Sequence, residues 1–445
     1  MDGDGSGMGA AVSTTLPGWR RRLAPRSASP DERRNYELIQ LDSVITGLIV
    51  TVMGFVPVFL VRIGASPFEV SLVTILPAVG GLLLSVPFGR LLEGSERIPT
   101  WWARSRLWHS AVYAVIAAIA VLLPPGVAIA ATLAALALST APQSLTQVVF
   151  PIVVDGAAGP RGRFDLLGRR WALMGLGTAV TAGLAGVLLT AVPLPWNYAL
   201  LFLAGAATGI SSWALSRRVV MVYRGPAPAR PPAASGEEAP GAAVARPARS
   251  GPAPSAAARR QFLGFVLRKA LFSAGTRMVL ALLPLFYVRS LGVSDGWIGT
   301  LTMLASFATV AGYLAWRRIV RRIGPRAVLL STLAISGGIP ALVVLSRSPE
   351  VVILLSMIGA FFVAGVDLAL FDELLGRIPR DHLTTFSGLD ASVTNLAWIV
   401  APLTGAALAE IAGVEAAIVV GAAVSLVAAL LFVAAGRSRP APNAA

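Results

Sequence analysis

Apolar residues in this sequence come in runs of about twenty, the length that crosses ~30 Å of hydrocarbon at 1.5 Å per helical residue. Six runs fall at 38–61, 70–88, 102–123, 127–154, 171–191 and 198–215, and six more at 262–288, 297–316, 327–345, 351–375, 385–409 and 416–435. Each predicts a transmembrane helix, so the expected fold class is an all-α polytopic membrane protein with twelve spans. Polar residues collect between the runs, in short turns such as 62–69 and in loops at 89–100 and 155–170. Residues 1–37 and 437–445 read as polar cytoplasmic tails. Residues 216–261, rich in Ala, Pro, Gly and Arg, cannot bury enough apolar surface to offset their ordering entropy. They predict a disordered linker between a six-helix half at 38–215 and another at 262–436.

The two halves echo each other. Pro57, Arg62, Gly64 and Ser66 in PVFLVRIGAS recur as Pro284, Arg289, Gly292 and Ser294 in PLFYVRSLGVS. The offset is 227 residues up to the arginine and 228 beyond it, because one residue is inserted before the glycine. The expected architecture is a duplication, two parallel and pseudo-symmetric halves.

Composition agrees: 56% hydrophobic and 13% charged residues, with a mean hydropathy of +0.74, exclude an ordinary soluble domain, which carries about 25% charge. A net charge of +15 alone would suggest nucleic acid or another anionic surface. Placing the charges changes that. With the N-terminus in the cytoplasm, thirty-one basic residues fall on cytoplasmic segments and three, Arg62, Arg289 and Arg347, on the opposite side. This is the positive-inside bias. Both termini are expected in the cytoplasm, the protein in the cell membrane, and no nucleic-acid partner. Cysteine is absent, so no disulfide, thiolate metal site or cysteine nucleophile is available. No apolar run precedes Leu38, so no cleavable signal peptide is expected.

Two parallel six-span halves around a long central loop resemble the major facilitator superfamily (MFS) of secondary transporters. Motif remnants support the likeness. Gly89, Arg90 and Glu93 follow the second span where that family carries a glycine and then an acid, although Gly94 replaces the expected basic residue. The second-half counterpart keeps a basic cluster with Gly324 and Arg326 but has no acid. Residues 161–170 (RGRFDLLGRR) resemble the loop before the fifth span, and Ala401, Pro402 and Gly405 a pattern of the eleventh. The resemblance implies a fold in which the first, fourth, seventh and tenth spans line a central cavity, with substrate bound near the midplane.

Most of the candidate chemistry lies on those spans. Arg277 sits about 11–15 residues, roughly 16–22 Å, from either end of its run, beyond the reach of snorkelling. An intramembrane charge marks a pathway or a structural ion pair. At offset 227 Arg277 corresponds to Val50, so the charge belongs to one half only. Asp367 in the tenth span and Asp390 in the eleventh are candidates to bind a coupling proton or to neutralise Arg277. The competing reading for both is hydration from the cytoplasm, and it weighs more for Asp390. Asp42, read as one turn into the first span, is favoured by the helix dipole even without a substrate. Gln143 and Gln147, four apart on the fourth span, share a face and can bond a ligand or a neighbouring helix; Gln40, Ser43 and Thr46 are weaker candidates. The intramembrane glycines read as close-packing positions. His109 and His382 have no metal-binding spacing, and neither cofactor nor metal is called for.

The expectation is therefore a secondary active transporter, a monomer in the lipid bilayer, moving a small molecule by alternating access. The sequence carries no Walker-type phosphate loop, so proton coupling is expected. Apolar surroundings lean towards export of amphiphilic compounds. Uptake of a sugar or organic anion, or a non-transporting receptor or scaffold, are the alternatives. No paired carboxylates or metal-binding histidines suggest an enzyme.

Overall fold

The computed structural model describes residues 29–92, 95, 97–222, 256–377 and 383–437. They form twelve helices long and apolar enough to cross a membrane. In the first half these are α1 (Pro30–Arg62), α2 (Pro67–Leu92), α3 (Ile98–Leu122), α4 (Pro125–Ala158), α5 (Arg169–Ala191) and α6 (Trp196–Ser216). In the second they are α7 (Ala256–Leu285), α8 (Asp295–Ile323), α9 (Pro325–Leu345), α10 (Pro349–Arg377), α11 (Leu383–Ala412) and α12 (Val414–Arg437). Large apolar side chains such as Leu83, Leu138, Val187, Leu345 and Leu430 are exposed, as lipid-facing surfaces require. The chain is a multi-pass membrane protein. Residues 1–28, 223–255 and 438–445, and with them most of the predicted tails and linker, lie outside the described residues.

Helix starts follow their caps. The Ser29 side chain and Glu32 form a reciprocal capping box, with Pro30 in the first turn. Residues 30–37, expected in the tail, are therefore helical, and buried Asn35 ties them down by donating to the carbonyls of Ala157 (3.2 Å) and Val220 (2.7 Å). The expected loop at 155–170 is helical too. The helix runs unbroken from Pro125 to Ala191, 67 residues, and would measure about 100 Å if straight. It doubles back, because Arg170 lies 4.7 Å over the Phe150 ring, where a straight helix would separate them by roughly 30 Å. Ala157, Ala158 and Leu166 bury against Tyr36 and Trp102; this packing overrides the polar composition that predicted a loop.

The duplication is visible in three dimensions. A Cβ on Gly205 of α6 would stand 2.9 Å from Val52 of α1, and one on Gly421 of α12 2.9 Å from Val279 of α7, the residue 227 positions on. Gly64 and Gly292, both at positive φ, end the corresponding helices. Ala65 N–H bonds the Leu60 carbonyl, and its counterpart Val293 bonds that of Tyr287, one residue farther back. The inserted residue is absorbed by a π-helical turn at Phe286–Ser290.

The halves meet most closely at the end carrying these two turns. Arg62 donates Nε to Asp295 Oδ1 (2.8 Å) and Nη2 to the Val293 carbonyl (2.6 Å). Its repeat partner Arg289 donates Nη2 to the Ala65 carbonyl. Ala65 and Val293 are themselves repeat partners, so the clasp is reciprocal. Beside it, α5 and α8 are in backbone contact: a Cβ on Gly299 would fall 2.5 Å from Gly186 Cα. One apolar cluster joins both halves here, including Phe59, Leu189, Phe286 and Leu301. Towards the face of the chain termini the core separates into one cluster per half.

Candidate substrate site

Arg277 projects from α7, half-buried. Its guanidinium carbon lies 3.8 Å from the centroid of the Trp398 ring on α11, a cation–π contact that partly replaces lost hydration. Asp367 of α10 is exposed and accepts a hydrogen bond from Tyr313 Oη of α8 at 2.8 Å. The helices that carry the two charges, α7 and α10, touch each other. Among the described residues, however, the ion pairs within 4.0 Å include neither of them. Four helices of the second half thus present a cation and an anion, each held by a neutral aromatic partner. On the same face of α11, one turn apart, Thr394 Oγ1 and Trp398 Nε1 are buried without a hydrogen-bond partner. Val50, the counterpart of Arg277, is an exposed apolar residue.

The other candidates have different surroundings. Asp390 of α11 pairs with Lys269 of α7, whose Nζ stands 2.6 and 2.8 Å from its two oxygens. Both this pair and Arg277–Trp398 join residues 121 apart, as parallel neighbouring helices require. Asp42 lies twelve residues into α1, because that helix starts at Pro30, so the dipole of the first turn does not account for it. It is 1% exposed and is the hub of a buried network. Oδ2 accepts from Arg106 of α3 and from Arg170 of α5 (3.3 Å), and Oδ1 from Ser212 of α6. Arg106 also reaches Thr46 (2.7 Å), and Arg170 reaches Ser43 (3.2 Å). This arrangement staples four helices together.

Gln143 is half-buried and Gln147 exposed on α4, with Gln147 beside Gly81 of α2. Gly89 and Arg90 end α2 and are exposed; Glu93 lies outside the described residues. Gly324, at φ 83°, makes the tight corner between α8 and α9, followed by exposed Arg326. His382 also lies outside the described residues. Among the described residues no group of three His, Asp or Glu could hold a metal ion. Sequence reasoning did not single out Tyr313 or Trp398, which sit in apolar runs without a distinguishing pattern. It also passed over Lys269, although offset 227 from Asp42 lands on it.

The comparisons with known proteins fit this geometry. Residues 265–445 match the model of the Major Facilitator Superfamily. No curated protein matches the chain. Among solved structures, a bacterial homologue of the iron transporter ferroportin in its inward-facing state superposes with a TM-score of 0.70 at 16% identity, over 92% of this chain and 99% of that one. The nucleoside transporter NupG gives 0.66 at 10% identity over 91% and 99%. The ferroportin homologue in its outward-facing state with soaked iron gives 0.57 at 16% identity, again over 91% and 99%. The twelve-helix fold is that of these transporters, and the second half of the chain carries the match to the Major Facilitator Superfamily model.

Proposed function

We propose that this protein is a secondary active transporter that moves a small molecule across the cytoplasmic membrane by alternating access, with Arg277 and Asp367 at its substrate site. The carrying observation is that this cation and this anion, on touching helices of an apolar bundle, each engage an aromatic side chain and form no ion pair within 4.0 Å among the described residues. A structural role would be better served by pairing them, because unpaired charges in a low dielectric are costly. Thirty-one basic residues on one side argue for cytoplasmic termini and a cytoplasmic linker at 216–261. The Arg62–Arg289 clasp then closes the extracellular side. The better superposition on the inward-facing neighbour, 0.70 against 0.57, supports that orientation. Arg277 holds an acceptor group of the substrate, and Asp367 carries the coupling proton when no substrate is bound. The apolar surroundings favour export of an amphiphilic molecule by a monomer.

The test is flux. Purified protein in proteoliposomes, given an imposed proton gradient and candidate solutes, should show solute-dependent proton movement, and Arg277→Ala should abolish it. Normal flux at normal affinity in that variant would leave Arg277 a packing residue. No flux with any solute would favour the receptor reading.

A further inference from the structure

We infer that the substrate class of this site is a small zwitterion, its anionic group held by Arg277 and its cationic group by Asp367; the inference rests on the transporter reading above. The two opposite charges lie on touching helices, and each engages an aromatic partner rather than an ion-pair partner among the described residues. The guanidinium lies on the face of Trp398, which occupies its π surface and leaves its in-plane N–H donors, the fork that matches a carboxylate. Among the described residues Arg277 makes no ion pair within 4.0 Å. Tyr313 takes Asp367 Oδ2, which leaves Oδ1 for a cation. On the helix that carries this ring, Trp398 Nε1 and, one turn away, Thr394 Oγ1 are buried without a hydrogen-bond partner. Buried polar atoms are nearly always bonded; the indole N–H requires an acceptor and the hydroxyl can donate to one, so an acceptor-rich anionic group satisfies both.

Single charges fit badly. An anion alone would meet the Asp367 carboxylate, and a cation alone would meet Arg277, so each would be repelled by half of the site. A zwitterion satisfies both, and its net neutrality reduces the cost of entering the bundle.

The experiment uses the full chain in lipid nanodiscs and three matched probe series. They are phenylalanine with 3-phenylpropionate and 2-phenylethylamine; γ-aminobutyrate with butyrate and propylamine; and 6-aminohexanoate with hexanoate and pentylamine. In at least one series the zwitterion should bind about 10- to 100-fold more tightly than either singly charged analogue, the effect of one charge-assisted hydrogen bond. Arg277→Gln should erase the advantage over the amine, and Asp367→Asn the advantage over the acid. Tyr313→Phe, which removes one hydroxyl and little volume, should weaken the zwitterion and the amine while sparing the acid. Unliganded melting temperatures identify any variant that fails to fold, and Tyr313→Phe then carries the test. Equal binding of a singly charged analogue, or no zwitterion binding in any series, overturns the inference. Proteoliposome flux separates the two readings: flux of an acid or amine alone keeps the transporter and ends the zwitterion, whereas zwitterion binding without flux does the reverse.

Discussion

At the scale of the residue, Asp42 shows what one buried charge does in this fold. Its carboxylate is the shared counter-charge of Arg106 and Arg170 and also takes the Ser212 hydroxyl. Removing that charge leaves two nearly dry guanidinium groups uncompensated. Asp42→Asn should therefore cost about 3–5 kcal/mol, seen as a large fall in unfolding temperature in detergent. Thr46→Val, which removes one bond to Arg106, should cost about 1 kcal/mol; equal effects would mean that Asp42 is not the hub. The sequence made Asp42 visible as an intramembrane carboxylate but hid its role. Its partners lie 64, 128 and 170 residues away, and hydropathy carries no information about which faces of distant helices meet. Arg277 and Asp367 were legible because charge is rare in apolar runs. Trp398 and Tyr313 were not, since an aromatic side chain in such a run is ordinary.

Between elements, the two halves repeat one staple with its polarity reversed. Asp42 of α1 pairs with Arg170 of α5, and its repeat partner Lys269 of α7 pairs with Asp390 of α11. The first and fifth helices of each half are thus joined by a salt bridge of opposite sense. What was duplicated is the joint, and either sign serves it. Lys269→Glu alone and Asp390→Lys alone create like-charge contacts and should each cost about 1–3 kcal/mol, below the fully buried value because the side chains retain 17% and 11% exposure. The two together restore an inverted pair and should recover most of the loss in a double-mutant cycle. Additive losses would mean that each residue acts through other neighbours. The twelve spans and the duplication could be read from the sequence because bilayer thickness imposes run length and the PVFLVR and PLFYVR segments survive side by side. The helical closure of 155–170 could not, because it depends on Ala157, Ala158 and Leu166 burying beneath Tyr36 and Trp102.

For the whole molecule, the question is which face is shut. In the alternating-access cycle proposed above a single sequence has to serve every state, so run lengths and charge bias do not distinguish them. The structure does: the core is continuous across the halves at the Arg62 and Arg289 end and divided at the other. The reciprocal clasp adds three hydrogen bonds to that seal, each worth about 1 kcal/mol net. Losing all three should shift the balance between closed and open arrangements of this face by about 100-fold. The absence of cysteine makes this measurable without a background correction. Cysteines placed at Phe68 and Arg347, exposed positions in the first and second halves at this end, accept spin labels. In Arg62→Ala/Arg289→Ala protein their distance distribution should move to longer values, with either single variant in between because each removes one side of the clasp. An unchanged distribution would assign the seal to the α5–α8 backbone contact at Gly186 and Gly299. In that case the two arginines, though repeat partners bonded to repeat partners, would be a consequence of closure and not its cause.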